Sequence, residues 1–125
     1  MARKKTSTLT EAESRLMAVI WQSGEATVNE VVAALPERDR PAYNTVLTLL
    51  RILEQKGYLR HIKEGRAHVY RPQVSRNQAR QQVVRHMVQR FFDNSPELLL
   101  LSVLENEKLS AEELERLKQM IEASE

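Results

Sequence analysis

Apolar positions recur along this chain with more than one period, and the changes of period mark out its parts. From Leu9 to Gly57 they return every three or four residues, the repeat of helices that bury one face. Leu16, Val19 and Ile20 make one such face, widened by Met17 and Trp21. Thr10 and Glu13 stand ahead of it with the spacing of a capping box, and Gly24 stops it. Thr27 and Glu30 form a second box, opening a short helix with Val28, Val31, Val32 and Leu35 inward and Pro36 after its end. The third and longest helix spans Pro41 to Gly57. Pro41 suits a first turn, where its missing N–H would have had no partner, and Gly57 suits a left-handed end. Val46, Leu49, Leu50 and Leu53 share its inner stripe. Asn44, Thr48, Arg51 and Gln55 fall opposite, with Thr45, Leu47 and Ile52 on the flanks.

After Gly57 the pattern changes. Tyr58 to Lys63 and Ala67 to Arg71 are rich in β-branched and aromatic residues and flank Glu64-Gly65, which predicts a hairpin. A loop centred on Glu64-Gly65 sets His61 opposite His68 and Leu59 opposite Tyr70. Three helices followed by a hairpin, the third helix longest, is the order of a winged helix-turn-helix. Helical periodicity then returns. Ser75 and Gln78 make a third capping box, ahead of Ala79, Val83, Met87 and Phe91 at steps of four, with Val84, Val88 and Phe92 beside them. Ser95 and Pro96 start a further helix from Glu97 to about Glu105, rich in leucine. Ser110 and Glu113 cap a last one, with Leu109 and Leu114 as a hydrophobic staple.

The expected organisation is a flexible basic arm over 1–8, a winged helix over 9–73 and a helical region over 74–125. The fold class is mostly α with a small β wing. Three helices in the last part bury too little surface to stand alone, yet their residues are core-like. Mutual burial between two copies resolves this, with Val83, Met87, Phe91, Phe92, Leu98, Leu101, Leu114, Leu117 and Ile121 at the contact. The alternative folds these helices back over the winged helix as one monomeric core.

Charge adds a function to the shape. Residues 1–76 hold 13 Lys and Arg against 8 Asp and Glu, and residues 77–125 hold 6 against 9. A basic front and an acidic back suit a polyanion-binding part joined to a part with another task. The outward face of the third helix presents amide, hydroxyl and guanidinium groups on a rigid rod, the chemistry that reads DNA base edges. Asn44, Thr48 and Arg51 are the candidates for base contact, with Thr45 beside them and Leu47 placed for a thymine methyl. Arg40, Tyr43, Lys63, Arg66 and the arm with Arg3, Lys4 and Lys5 are candidates for phosphate.

Other classes find less support. No cysteine is present, which removes disulfides, thiol catalysis and Cys-based zinc sites and fits a reducing cytoplasm. No apolar run approaches the roughly 18 residues of a membrane span, and the basic N-terminus lacks the apolar segment of a secretory signal. There is no phosphate-cradling glycine loop, no Gly-flanked serine nucleophile and no His-Glu-x-x-His. No cofactor is expected. His61 and His68 lack a third ligand, and His86 sits on a different helix, so a metal reading is weak. Two competitors remain: a winged helix used to bind protein, and a repressor gated by a small ligand.

Thr10-Glu-Ala-Glu13 with Trp21, Tyr43-Asn-Thr-Val-Leu-Thr-Leu-Leu50, Lys56-Gly57-Tyr58, and Gly65-Arg66 with Tyr70 together resemble the BlaI/MecI penicillinase-repressor family. The likeness runs over nearly the whole chain, through Leu109-Ser-Ala-Glu-Glu-Leu-Glu115. It implies a dimeric winged-helix repressor on an inverted-repeat operator with a TACA/TGTA-like core. It also implies release when a membrane metallopeptidase sensor triggers cleavage in the dimerisation region. The family's scissile Asn-Phe is matched here by Ser102-Val103, and Leu47 stands where the family often has a basic residue. The cysteine pairs of the copper-responsive branch are absent.

Overall fold

Thr10 and Glu13 begin the first helix as their spacing predicts. In the computed structural model, which describes residues 8–124, the Thr10 hydroxyl accepts from the Glu13 amide at 3.1 Å. The Glu13 carboxylate in turn accepts from the Thr10 amide at 2.9 Å. The elements follow in order: α1 (Glu11–Ser23), β1 (Ala26–Thr27), α2 (Val28–Ala34), α3 (Tyr43–Gln55), β2 (Leu59–Glu64), β3 (Ala67–Pro72), α4 (Arg76–Phe91), α5 (Pro96–Asn106) and α6 (Ala111–Ala123). A 3-10 turn, Glu37–Asp39, joins α2 to α3. Apart from Thr8, the expected basic arm lies outside the described residues.

The chain forms two compact units, one ending at Val83 and one beginning at Val84. In the first, Leu16, Met17 and Ile20 of α1, Val31 of α2 with Leu35 just past its end, and Val46, Leu50 and Leu53 of α3 close a core over Tyr58, Leu59 and Tyr70. Burying each large aliphatic side chain contributes roughly 1.5–3 kcal/mol. Leu49, expected inward, is half-buried at the rim. Ala79 is buried in the same core, so this unit extends into α4. The Trp21 indole N–H donates to the Val74 carbonyl at 2.9 Å, and the Arg76 guanidinium lies 5.5 Å from the centre of the Trp21 ring.

Two details of the long helix differ at its start and agree at its end. Pro41 lies outside α3, whose N-cap is Ala42 with extended backbone and no side-chain cap. The residue before a proline is pushed out of the helical region, as Arg40 is (ψ 119°), and Ala42 provides the first accepting carbonyl, to Val46 at 3.1 Å. At the other end Gly57 has φ +91°. Its amide donates to the Glu54 carbonyl and that of Tyr58 to Leu53, both at 3.0 Å. This is a Schellman motif, closed by the buried Leu53 and Tyr58.

The sheet has the order β1-β3-β2, with both pairings antiparallel. The hairpin register corrects the expected one by two residues: His61 faces Tyr70, Lys63 faces His68 and Leu59 faces Pro72. The turn is centred on Gly65-Arg66 because only Gly65, at φ +63°, supplies the positive φ that a tight hairpin demands at its first central position. β1 was not foreseen. Its two residues pair with Tyr70 and Val69 of β3.

In the second unit, Asp93 and Asn94 take φ of 50° and 60° where α4 ends. The Ser95 hydroxyl caps α5 with Pro96 in its first turn, and Ser110 and Glu113 make the expected box at α6. No described residue from 84 to 124 is buried. Among the described residues, no helix is long and apolar enough to cross a membrane.

A charge pair between a buried carboxylate and a half-buried ammonium holds α1 to the end of α3. The Lys56 ammonium donates to the Glu13 carboxylate at 2.7 Å, and Glu13 is only 3% exposed. Burial pushes the Glu13 carboxyl up, but Lys56 and the Thr10 hydrogen bonds outweigh it and the net displacement is downward. A carboxyl depressed in the folded state stabilises the fold above its ordinary range, and this contribution fades as pH falls through the depressed value. Lys56→Ala should cost about 1–3 kcal/mol at neutral pH by leaving a buried carboxylate without its cation. Glu13→Gln should flatten the loss of stability on acidification. Urea melts across the carboxylate range measure both, and an unchanged acid slope in Glu13→Gln would contradict the assignment.

Candidate nucleic-acid interface

The stripe that α3 buries dictates the face it leaves bare. With Val46, Leu50 and Leu53 inward, Asn44, Thr48 and Arg51 are all exposed. Among the described residues none of the three makes a side-chain hydrogen bond or ion pair within the chain. A helix face with unspent donors and acceptors is available to an outside partner.

Beside this face lies an open cleft of about 260 Å³, lined by Thr27, Val28 and Asn29 of β1 and α2, Tyr43, Leu47 and Arg51 of α3, and Arg66, Ala67 and His68 of the wing. Four of the residues expected at the site (Tyr43, Leu47, Arg51 and Arg66) therefore meet in one place. Asn44 and Thr48 occupy the adjoining exposed face, and Lys63 is exposed on β2. Thr45 lies elsewhere. It lines a separate hollow of about 450 Å³ on the opposite flank of α3, with Leu49, Arg15 and Asp39.

Arg40 has other business as well. Its Nε donates to the Leu35 carbonyl at 3.1 Å, and its Nη2 donates to Leu35 at 2.8 Å and to Ala33 at 3.0 Å. These are the orphan carbonyls of α2, so the guanidinium closes that helix with a favourable charge and braces the turn into α3.

The wing is tied to α3 by a polar contact. His61 Nδ1 lies 2.9 Å from both carboxylate oxygens of Glu54. The His61 ring stacks on His68 at 4.6 Å between centroids and lies 5.5 Å from the Tyr70 ring. Although the strand register separates them, the two histidines meet diagonally across the hairpin. Burial pushes the Tyr70 phenol up, with Glu54 adding to the shift and Arg51 opposing it. At the far end of the sheet, Arg71 Nε donates to Glu25 at 2.7 Å. Among the described residues, no group of three or more His, Asp or Glu side chains could hold a metal ion.

Asn29 and His68 were not among the expected site residues. Asn29 had a readable signal: in Thr27-Val-Asn-Glu30 the first and last residues cap and Val28 is buried, leaving Asn29 as the polar side chain without a structural task.

A bare polar helix on two supporting helices, with a cationic wing beside it, defines a winged-helix fold. The profile of the penicillinase repressor family matches residues 9–123, and the chain belongs to that family of DNA-binding transcriptional repressors. It is 34% identical over 119 residues to the penicillinase repressor of Bacillus licheniformis, covering 95% of this chain and 93% of that one. The solution structure of the DNA binding domain of the repressor BlaI is similar, with a TM-score of 0.54 and 36% identity over 61% of this chain and 93% of that one. The solution structure of monomeric Bacillus licheniformis BlaI in complex with the blaP half-operator gives a TM-score of 0.50, again at 36% identity over 61% and 93% of the two chains.

The wing's turn is the most exposed dependence in this geometry. Gly65→Ala should destabilise the hairpin by about 1–2 kcal/mol, since an L side chain is strained at that backbone angle. Amide exchange at Ile62 and Val69 should accelerate while the α1 core stays protected. Unchanged exchange in the hairpin would show that the turn does not depend on Gly65.

Proposed function

We propose that this chain represses transcription as a homodimer on an inverted-repeat operator with TACA/TGTA-like arms, acting in the cytoplasm. The bare face of α3 beside the Arg51 and Arg66 cleft carries this reading. A helix of this width fits the major groove, where Asn44 can pair bidentately with adenine and Thr48 and Arg51 reach neighbouring base edges. Leu47, half-buried at the cleft, meets a thymine methyl. Tyr43, Lys63, Arg66 and the basic N-terminal arm hold phosphates. Arg40 adds its charge at the edge while bracing α2, and Thr45 stays at the margin of the contact. The likeness to a relative solved on a half-operator supports this placement.

The second unit supports the dimer. Met87, Phe91, Leu98, Leu101, Leu114, Leu117 and Ile121 are all exposed, Phe91 by 67%, while Val83 and Phe92 are half-buried. Apolar surface on this scale calls for a partner, and a second copy offers the same surface in return. Two copies would set their α3 helices about 34 Å apart on one side of the duplex.

Release follows from cleavage in this region after a membrane metallopeptidase sensor signals, as family membership suggests. Ser102-Val103 lies inside α5, where Asn106 Nδ2 donates to the Ser102 carbonyl at 2.8 Å. A cut at that bond would require local unwinding of α5.

Asn44→Ala should relax specificity at one base pair, costing roughly 1–3 kcal/mol on the operator and little on random DNA. Arg66→Ala should weaken both alike and reduce the salt slope by about one. Fluorescence anisotropy on operator and scrambled duplexes across a salt series reads both variants. Equal losses on both duplexes for both variants would reject the assignment of reading and anchoring roles, and salt-independent binding would favour a protein-binding winged helix.

A further inference from the structure

A helix that exposes a broad apolar face needs a neighbour to cover it. Leu98, Leu100, Leu101 and Leu104 share one side of α5, an arc of about 160° at 100° per residue, and each is 41% to 47% exposed. In the homodimer reading, on which this inference rests, the second copy supplies that cover. The charges indicate how the two copies fit. The sequence of α4 contains four arginines and no acid, whereas α5 contains Glu97 and Glu105 and no base. In the second unit this leaves Arg85 and Arg90 on α4 against two carboxylates on α5. All four side chains are exposed, and among the described residues none makes an ion pair within the chain. Glu105 also stands near the C-terminal end of α5, where the helix dipole disfavours a negative charge and no basic residue offsets it.

We propose that Arg85 and Arg90 of one copy pair with Glu97 and Glu105 of the other, so that ionic contacts beside the leucine surface select a second copy of this chain. An all-apolar contact would accept many greasy helices. Opposite charges carried on separate helices penalise a partner that brings like charge to the same place. The apolar surface supplies affinity and the charges supply choice of partner.

Reciprocal charge reversal in the full chain tests this. R85E/R90E and E97R/E105R should each dimerise at least roughly tenfold more weakly than the wild type in sedimentation equilibrium at low salt. An equimolar mixture of the two should recover near-wild-type affinity as a heterodimer. Circular dichroism checks that each retains its helix. If a reversed chain loses helix, the neutral R85Q/R90Q chain takes its place and should also dimerise more weakly at low salt. Wild-type dimer affinity in the folded single sets, or a mixture without recovery, would overturn the pairing while leaving the homodimer intact. Weakened operator binding with unchanged dimer affinity would assign the arginines to phosphates and also overturn it. A wild-type chain that stays monomeric would instead bring down the homodimer reading and the pairing with it.

Discussion

The rotation of α3 about its own axis is the constraint on which the structure depends. Val46, Leu50 and Leu53 are completely buried and lie within about 60° of one another on α3, so turning the helix by one residue, about 100°, would swing all three away from the core. At roughly 1.5–3 kcal/mol for each buried side chain, no contact on the outer face could repay that. The other devices around α3 fix its two ends. Arg40 braces the entry by closing α2, the Schellman turn at Gly57 ends the helix, and Lys56 pins that end to Glu13 of α1. A helix proposed to read DNA must present the same side chains every time, and here the core decides which side chains α3 presents.

Much of this was legible in the sequence where the physics is local. Four capping boxes and the glycine terminator each involve residues only a few positions apart, and the structure contains all of them. The inner stripe of α3 follows from periodicity alone, save for Leu49 at its rim. What was not legible depends on contacts distant in sequence. The hairpin register was displaced because Gly65 can occupy either centre of a two-residue turn, and alternation in Tyr58 to Arg71 does not distinguish the faces. β1 is two residues long and exists through its pairing with β3. Arg40 is the exception: its partners lie only five and seven residues back, but the turn that folds its side chain onto the end of α2 has no periodicity to reveal it.

The candidate site divides in the same way. Asn44, Thr48 and Arg51 were readable because they oppose the buried stripe, whereas the cleft had to be assembled from α2, α3 and the wing. His68 joins it through a stack with His61, itself held by Glu54, a chain of contacts that sequence spacing misplaced. The two units also differ in what completes them. The first closes its own core and spends its surface on a polar face and a cationic cleft. The second leaves the leucines of α5 exposed, and among the described residues Arg85, Arg90, Glu97 and Glu105 make no ion pair within the chain, a state that association between copies would relieve.

The central claim is that the outer face of α3, with the adjoining wing, is the DNA-reading surface. Titrating the 15N-labelled full chain with a TACA/TGTA inverted-repeat duplex and following amide shifts residue by residue tests it most directly. The account requires the large, saturable shifts to fall on residues 43–55 and on the hairpin from Lys63 to His68, with little change on the opposite flank around Arg15 and Asp39. Shifts centred on that opposite flank, with the outer face of α3 unmoved, would contradict it.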